Sequence, residues 1–342
     1  MKAVVWNGPY ELTLQDVPRP TPGEGEVLVK TEVVGICGSD LEIYDGRFTQ
    51  TKPPMIIGHE GGGIVEAVGP GVTHFKPGDR VIVECLVYCG QCENCRKGRY
   101  NLCDFFQVLG MIDLQGEYAE YFVAPERNCY HLPEAISWPE AGFIDTLAGP
   151  MHGINSANVE LGHSVAVFGG GSAGLFFCKL AKLRGAATVY LIEPQENRRS
   201  FGTRYGADVM LDPLHENVVD ALRDATNGRG VDIAIEAAGS EKALQDAMGV
   251  LKKGGELVIY GVFGGGPIAL DIQPIQLYEF AIQGINGYPF QYPKAITYIQ
   301  DGTIPVKDLI SHTFRLEDVP EAFSSGLIAE RRENYMKGIV LL

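Results

Sequence analysis

The chain has 342 residues, of which 45% are hydrophobic and 21% are charged, and this length predicts two domains rather than one core. Its 43 acidic and 28 basic residues give a formal net charge of −15, which disfavours nucleic acid and anionic membranes as partners. Apolar runs fall short of the ~18 residues that span a bilayer, and the N-terminus has no signal-peptide core, so we expect a cytoplasmic location.

Residues 1 to about 130 predict a mostly-β body. They are rich in glycine and proline, and stretches such as Glu26–Val34 alternate apolar and polar residues with the period of a half-buried sheet. In a reducing compartment, the eight cysteines of the chain are expected to be metal ligands and buried thiols rather than disulfides.

Two short segments of this body carry metal-ligand side chains. Cys37 opens the segment CGSD, and His59 with Glu60 begins a strand punctuated by glycines. One thiolate, one imidazole and one carboxylate leave zinc a fourth position for an exchangeable oxygen, as in catalytic zinc sites. Considered singly, Cys37 could be a buried apolar side chain, and His59 could be a hydrogen-bonded structural histidine.

A second candidate metal site is more compact. Four cysteines lie within fifteen residues, separated by three, three and eight positions: Cys89, Cys92, Cys95 and Cys103. A tight loop can turn four thiolates toward one point, and such a closed set of ligands is typical of a structural zinc. A rubredoxin-like iron site and four unligated buried cysteines are the alternatives.

From Ser164 the pattern changes to short apolar runs that alternate with helical stretches, which predicts βαβ units and a parallel sheet. This region ends near residue 286. The residues that follow predict a helix, a strand and a second helix, too little for a separate domain. We therefore expect a mostly-β domain of residues 1–152 and 287–342, and a doubly wound α/β domain of residues 153–286.

A glycine-rich motif opens the α/β region. Its G-x-G-x-x-G pattern, between an apolar strand and a helix, comprises Gly169, Gly171 and Gly174. Glu193 ends the next strand, nineteen residues after the last of these glycines. This context predicts a dinucleotide site, with pyrophosphate on the helix N-terminus at Ser172 and Ala173 and the ribose hydroxyls on Glu193. A structural turn without cofactor is the alternative.

Glu193 also bears on the choice between the two nicotinamide dinucleotides. A carboxylate at this position repels the 2′-phosphate of NADP, whereas the nearby Arg198 and Arg199 could attract it. We predict NAD, because the acid occupies the ribose position itself.

The residues around His59 carry a family resemblance. Six positions fit the pattern G-H-E-x2-G-x5-G-x2-V: Gly58, His59, Glu60, Gly63, Gly69 and Val72. With the CGSD segment, the four cysteines and the nucleotide motif, the chain resembles the zinc-containing medium-chain alcohol dehydrogenases over essentially its whole length. Within this family the chain is most similar to the polyol, threonine and cyclitol dehydrogenase branch, because Gly38 follows the cysteine. The resemblance implies a GroES-like catalytic domain, a Rossmann domain, and a homodimer or homotetramer.

The resemblance also implies roles around a catalytic zinc. Cys37 and His59 would bind the ion, Glu60 would be a direct or intermittent ligand, and Asp40 would fix the imidazole tautomer of His59. Asp145 stands where polyol dehydrogenases carry a glutamate that reaches the zinc directly or through water. Since aspartate is one methylene shorter, Asp145 could ligate the ion, hold a zinc-bound water, or be a charge at a helix N-terminus.

Two further positions bear on proton transfer and substrate. Ser39 resembles the residue whose hydroxyl takes the proton of the alcohol in the family. Glu42 replaces a relay histidine of threonine and sorbitol dehydrogenases, and it could accept a proton, attract a substrate amino group, or be a solvated helix residue. Gly287 stands where sorbitol-type enzymes carry an arginine. These departures favour a polyol, sugar alcohol, cyclitol or aminocyclitol, with L-threonine or another small secondary alcohol as the alternative.

The implied reaction is the reversible oxidation of a secondary alcohol to a ketone, with zinc as Lewis acid and NAD as hydride acceptor. In the cofactor site, the resemblance places Arg198 over the adenosine. It places the nicotinamide against Val262 and against the pair Ile285 and Asn286.

Two functions of other classes are alternatives. One is a non-catalytic NAD-binding or structural protein on the same fold, and Cys37, Ser39, His59 and Glu60 together argue against it because a scaffold needs none of them. The other is a zinc-ribbon nucleic-acid binder, which the net charge of −15 disfavours.

Overall fold

The computed structural model describes residues 1–264, 266–330 and 334–342. Over these residues the chain forms nineteen strands and eleven α-helices. The strands are Lys2–Gly8 (β1), Glu11–Asp16 (β2), Glu26–Gly35 (β3), Met55–Ile56 (β4), Glu60–Val68 (β5), Arg80–Val83 (β6), Leu86–Val87 (β7), Gln107–Leu109 (β8), Asp113–Leu114 (β9), Tyr121–Pro125 (β10), Cys129–His131 (β11), Ser164–Phe168 (β12), Thr188–Ile192 (β13), Val209–Leu211 (β14), Val231–Glu236 (β15), Leu251–Ile259 (β16), Ala281–Gly284 (β17), Ile310–Arg315 (β18) and Lys337–Leu341 (β19). The helices are Gly38–Tyr44 (α1), Glu93–Arg96 (α2), Trp138–Ala141 (α3), Ile144–Ser156 (α4), Ser172–Leu183 (α5), Glu196–Arg199 (α6), Val218–Ala225 (α7), Glu241–Gly249 (α8), Gln273–Leu277 (α9), Tyr292–Gln300 (α10) and Val319–Ser324 (α11). None of the helices in the described part of the chain has the length and apolar character needed to cross a bilayer.

The described residues form two compact units. One contains Met1–Thr146 and Pro289–Leu342, and the other contains Leu147–Tyr288. The C-terminal segment belongs to the first unit through β19, which pairs antiparallel with β3 and parallel with β18.

The first unit is built on a seven-stranded sheet. Its strand order is β11-β6-β5-β3-β19-β18, with β10 also paired to β3. The glycines of β5 let this strand lie close to β3, because a Cβ at Gly63 would lie 1.9 Å from the carbonyl oxygen of Lys30. The family pattern around His59 therefore has a packing reason as well as a chemical one. A core that includes Trp6, Ile43 and Phe323 lies within this unit.

The second unit is a six-stranded parallel sheet in the order β14-β13-β12-β15-β16-β17. The order reverses between β12 and β15, and ligands of doubly wound sheets bind beyond the carboxyl ends of the strands at this reversal. The turn after β12 is tight, since a Cβ at Gly174 would lie 1.8 Å from the carbonyl oxygen of Gly169. The predicted parallel sheet and its glycine turn are thus present.

Candidate active site

The first unit brings together the three side chains predicted around a catalytic metal. Cys37 lies immediately before α1, His59 immediately before β5, and Glu60 is the first residue of β5. One ligand atom from each lies within 4.8 Å of the others. We call these three residues the first cluster. His59 and Glu60 are buried and Cys37 is partly accessible.

Asp40 orients the imidazole of this cluster. Its Oδ2 accepts hydrogen bonds from the Cys37 amide at 2.9 Å and from Tyr118 Oη at 2.8 Å, while its Oδ1 lies 3.2 Å from His59 Nδ1. The opposite ring nitrogen, Nε2, is then the one directed to the cluster, and Ser39 Oγ lies 3.3 Å from it. A carboxylate behind a ligand histidine is the usual way to fix its tautomer.

The electrostatics of the first cluster favour a cation. Burial by itself lowers the pKa of His59, but the charges of Asp40 and Cys37 outweigh burial and raise that pKa well above its ordinary value. A thiolate, an imidazole and a carboxylate that converge in a buried place are a donor set suited to zinc. These residues therefore fit the metal that the sequence predicts.

Lys337 is a partner of Glu60 that the sequence did not reveal. Its ammonium is buried, donates to Glu60 Oε2, and donates to Thr146 Oγ1 at 2.8 Å. Thr146 Oγ1 lies 3.0 Å from Glu60 Oε1. Burial by itself lowers the pKa of Lys337, but the charges of Glu60, Cys37 and Asp40 and the hydrogen bond to Glu60 together outweigh burial and raise that pKa. Gly35 makes room for the pair, because a Cβ there would lie 2.5 Å from Glu60 Oε2.

The four cysteines predicted to bind a structural metal also converge. Their sulfur atoms lie within 4.8 Å of one another, and all four are free thiols: Cys89, Cys92, Cys95 and Cys103. The sulfurs of Cys89 and Cys95 are 4.0 Å apart, against about 3.8 Å for a tetrahedron with zinc–sulfur bonds of ~2.3 Å. Amides of Gln91 and Cys92 lower the pKa of Cys89 to about 6. This set, the four-cysteine lobe, fits zinc.

The second unit arranges the predicted cofactor residues around the turn after β12. Gly171 precedes α5, and Ser172 and Ala173 are its first residues, so their amides lie at a helix N-terminus. Glu193 follows β13 and is buried, and its Oε2 accepts a hydrogen bond from the Gly170 amide at 2.6 Å. The glycine turn and the acid that the sequence pairs with it are therefore neighbours.

The remaining cofactor predictions fall in three places of this unit. Arg198 is buried and lies beside the turn, since its Nη1 would be 3.6 Å from a Cβ at Gly171. Val262 is 52% exposed. Ile285 and Asn286 directly follow β17, where Ile285 is half-buried and Asn286 is exposed.

Comparison with known proteins decides the family. An alcohol dehydrogenase GroES-like domain matches residues 23–134, and a zinc-binding dehydrogenase domain matches residues 173–301. A sorbitol dehydrogenase from Bacillus subtilis is 34% identical over 330 residues, which cover 96% of this chain and 94% of that protein. The chain belongs to the zinc-containing medium-chain alcohol dehydrogenase family.

Solved structures agree with this assignment. A zinc-binding dehydrogenase from Sinorhizobium meliloti bound to NADP is 31% identical with a TM-score of 0.92, covering 100% of this chain and 99% of that one. An alcohol dehydrogenase from Escherichia coli complexed with NADH is 29% identical with a TM-score of 0.91, and the match covers 100% of this chain and 99% of that one. The predicted family, the GroES-like and Rossmann fold class, and the enzyme class of a zinc- and nicotinamide-dependent dehydrogenase are confirmed.

In this dehydrogenase Asp145 lies outside the first cluster. It is in the first turn of α4, where its Oδ2 accepts a hydrogen bond from Tyr292 Oη at 2.7 Å and lies 3.9 Å from Cys85 Sγ. It is not among the described residues whose ligand atoms converge within 4.8 Å. Direct ligation by Asp145 stays a prediction.

Glu42, the residue in place of the relay histidine, is not a solitary carboxylate in the dehydrogenase. Its Oε1 lies 2.9 Å from Arg47 Nη1, and Arg47 also donates to Asp45. Burial raises the pKa of Glu42, and the charge of Arg47 opposes that rise. Glu42 is therefore part of a charge-compensated group at the end of α1.

Two buried carboxyl groups of the dehydrogenase were not predicted. Glu84 accepts hydrogen bonds from Tyr100 Oη and Tyr130 Oη at 2.7 and 2.9 Å, and burial raises its pKa to about 7. Glu117 is fully buried, and burial raises its pKa well above the ordinary value. Gly61 gives Glu117 its space, since a Cβ there would lie 2.5 Å from Glu117 Oε2. Neither glutamate belongs to a spaced motif that could have signalled it.

Proposed function

We propose that this dehydrogenase oxidises a secondary hydroxyl of a polyol, sugar alcohol or cyclitol to the ketone, reversibly and with NAD. The observation that carries the proposal is the convergence of Cys37, His59 and Glu60, with the Ser39 hydroxyl 3.3 Å from His59 Nε2. The name of the Bacillus subtilis relative, a sorbitol dehydrogenase, supports the substrate class.

In this proposal Cys37 and His59 would hold the catalytic zinc, and Glu60, which also pairs with Lys337, would be a direct or intermittent ligand. Zinc supplies Lewis acidity toward an alcohol oxygen, and NAD supplies the hydride acceptor. Asp40 keeps His59 in the tautomer that presents Nε2. The Lys337 ammonium and the Thr146 hydroxyl satisfy the Glu60 carboxylate, because a buried carboxylate needs a cation or hydrogen-bond donors.

Ser39 is proposed to relay the proton of the substrate hydroxyl, its Oγ taking that proton while passing its own proton onward. Its Oγ is the hydroxyl beside His59 Nε2, and it is nearly buried, so water competes little for it. Glu42 is proposed as the onward acceptor in place of the relay histidine. Because Arg47 compensates its charge at 2.9 Å, Glu42 attracts a substrate ammonium less than an isolated carboxylate would. We therefore place neutral polyols and cyclitols ahead of aminocyclitols.

The proposed preference for NAD rests on the ribose end of the site. Glu193 occupies the position that holds the adenosine ribose hydroxyls, and a carboxylate there repels a 2′-phosphate. Of the two arginines that could attract such a phosphate, Arg199 is engaged with Asp212 at 3.0 Å and with the Glu193 carbonyl at 2.7 Å. Arg198, Val262, Ile285 and Asn286 are proposed to line the rest of the cofactor site.

We also propose that the protein is a homodimer or homotetramer. The strand β17 is the edge of the parallel sheet, and all four of its residues are exposed. An uncovered edge of this kind can pair with a second copy of the same strand. Sedimentation analysis tests this directly, and a monomer at micromolar concentration contradicts it.

The substrate proposal is tested by NAD reduction with the zinc-loaded protein. The panel contains sorbitol, xylitol, inositols, an aminocyclitol, 2,3-butanediol and L-threonine. We expect turnover of polyols or inositols, its loss in Cys37→Ser, and its retention in the matched control Cys129→Ser, whose thiol lies outside both clusters. No reduction with any compound, or an equal rate in Cys37→Ser, contradicts the proposal.

A further inference from the structure

A buried polar network connects the four-cysteine lobe with Asp145. Its members share hydrogen bonds or ring contacts: Glu84, Tyr100, Tyr130, Tyr292 and Asp145. Apart from Tyr130, which is partly accessible, these side chains are buried. Buried polar networks that are satisfied throughout fix the geometry of their members strongly.

The network begins inside the four-cysteine lobe. Tyr100 lies between Cys95 and Cys103, so its position depends on the loop that these two cysteines close. Its hydroxyl donates to Glu84 Oε1 at 2.7 Å, and its ring stacks on Tyr88 with centroids 4.3 Å apart. A metal that draws the cysteines together therefore also fixes the place of this hydroxyl.

The same hydroxyl holds the backbone of a distant segment. Tyr100 Oη accepts a hydrogen bond from the Phe290 amide at 2.8 Å, and the two rings meet edge to face at 5.0 Å. Its one proton and a lone pair are thus both used. Phe290 has a φ of +62°, a left-handed conformation that a bulky residue rarely keeps without external support. The hydrogen bond from its amide supplies that support.

The segment then reaches Asp145. Two residues after Phe290, Tyr292 begins α10, and its Oη lies 2.7 Å from Asp145 Oδ2 and 3.0 Å from the Val83 carbonyl oxygen. The Tyr292 ring also lies 5.2 Å from the Tyr130 ring. The position of Tyr292, and with it the orientation of the Asp145 carboxylate, follows from where Phe290 is held.

We propose that Tyr100 is a positioning residue through which the four-cysteine lobe sets the orientation of Asp145. The lobe then does more than stabilise its own loop, because its state is transmitted through Phe290 and Tyr292 to Asp145, the carboxylate that the sequence predicts to ligate the zinc or to hold a zinc-bound water. The kinetic part of this inference rests on the proposed function. The structural part of the inference, which is the link from Tyr100 to the first turn of α4, is independent of the proposed function.

The kinetic test is a double-mutant cycle with Tyr100→Phe and Asp145→Asn. Tyr100→Phe loses the hydrogen bonds to Glu84 and from the Phe290 amide. If Tyr100 acts through Asp145, this substitution lowers kcat/KM for the polyol about tenfold or more in the wild-type background. In the Asp145→Asn background it changes kcat/KM less than about twofold, since coupled residues are not additive. The control Tyr88→Phe removes a hydroxyl from the same lobe but outside this path, and it leaves kcat/KM unchanged.

The structural test is hydrogen exchange, which needs no substrate. Tyr100→Phe should accelerate exchange in peptides that contain residues 290–292 and 143–147, whereas Tyr88→Phe should not. Glu84→Gln, which keeps the shape of the side chain, should show the same pattern if Tyr100→Phe folds poorly. Equal loss of kcat/KM in both backgrounds, or exchange changes confined to the four-cysteine lobe, overturns the proposal. A protein inactive on every alcohol but with the predicted exchange pattern would refute the proposed function alone.

Discussion

The substitution Glu84→Gln should remove a pH dependence from the stability of the protein. Glu84 is 1% exposed, and burial raises its pKa from 4.5 to about 7 even though two tyrosine hydroxyls oppose the rise. The native state therefore binds the proton more tightly than the unfolded chain. The resulting stabilisation is complete below pH 4.5, the pKa in the unfolded chain, and is lost as the pH rises toward 7, the pKa in the native state. The difference between these two pKa values corresponds to about 3 kcal/mol of unfolding free energy.

Urea unfolding of zinc-loaded wild type, Glu84→Gln and the control Glu134→Gln at pH 5 to 8 measures this effect. Glu134 is a surface carboxylate whose side chain is 86% exposed. We expect the free energy of unfolding of the wild type, relative to Glu84→Gln, to fall by about 2.5 kcal/mol between pH 5 and pH 8, while the control follows the wild type. Parallel curves for wild type and Glu84→Gln would show that Glu84 titrates at an ordinary pKa, and the reasoning about its burial would be refuted.

Three other substitutions have equally specific outcomes. Lys337→Met removes the buried cation beside Glu60 and should lower the free energy of unfolding by about 3 kcal/mol, with added zinc restoring part of it. In thermal unfolding, no loss of stability contradicts the pairing of Lys337 with Glu60, and an identical loss with and without zinc contradicts the role of Glu60 as a zinc ligand. Gly174→Ala forces its Cβ against the carbonyl of Gly169 and should weaken NAD binding about tenfold or more by calorimetry, whereas unchanged affinity contradicts the predicted turn. Glu193→Ala should narrow the ratio of NADP to NAD dissociation constants about tenfold, and a constant ratio would remove Glu193 from the discrimination.

The features that could be predicted from the sequence are those whose signal is local. The alternation of apolar and polar residues in β3 predicts a sheet, because the side-chain period depends on neighbouring residues. The succession of strand, glycine turn and helix after Ser164 predicts a nucleotide-binding fold, because turn geometry also depends on neighbouring residues. The pattern of glycines around His59 could be recognised for a similar reason, since a side chain at Gly63 would clash with the neighbouring strand. The spacing of the four cysteines likewise predicted that they converge.

Partners that meet across the sheet could not be predicted in this way. Lys337 reaches Glu60 over 277 positions, and Glu84 reaches Tyr130 over 46. From the sequence alone, Lys337 at the start of the apolar strand β19 would be interpreted as a charge at a strand end, and Glu84, directly after β6, as a loop residue. Their burial follows from packing of the whole unit, which has no period in the sequence. The orientation of Asp145 toward Tyr292 depends on the same packing.

We expect Cys37 and His59 to hold a catalytic zinc in addition to the zinc of the four-cysteine lobe. Metal analysis after dialysis tests it most directly, in wild type, Cys37→Ser and Cys92→Ser. The wild type should retain about two zinc ions per chain and each variant about one, and NAD reduction should be abolished in Cys37→Ser. A single zinc in wild type that Cys37→Ser retains in full would contradict it.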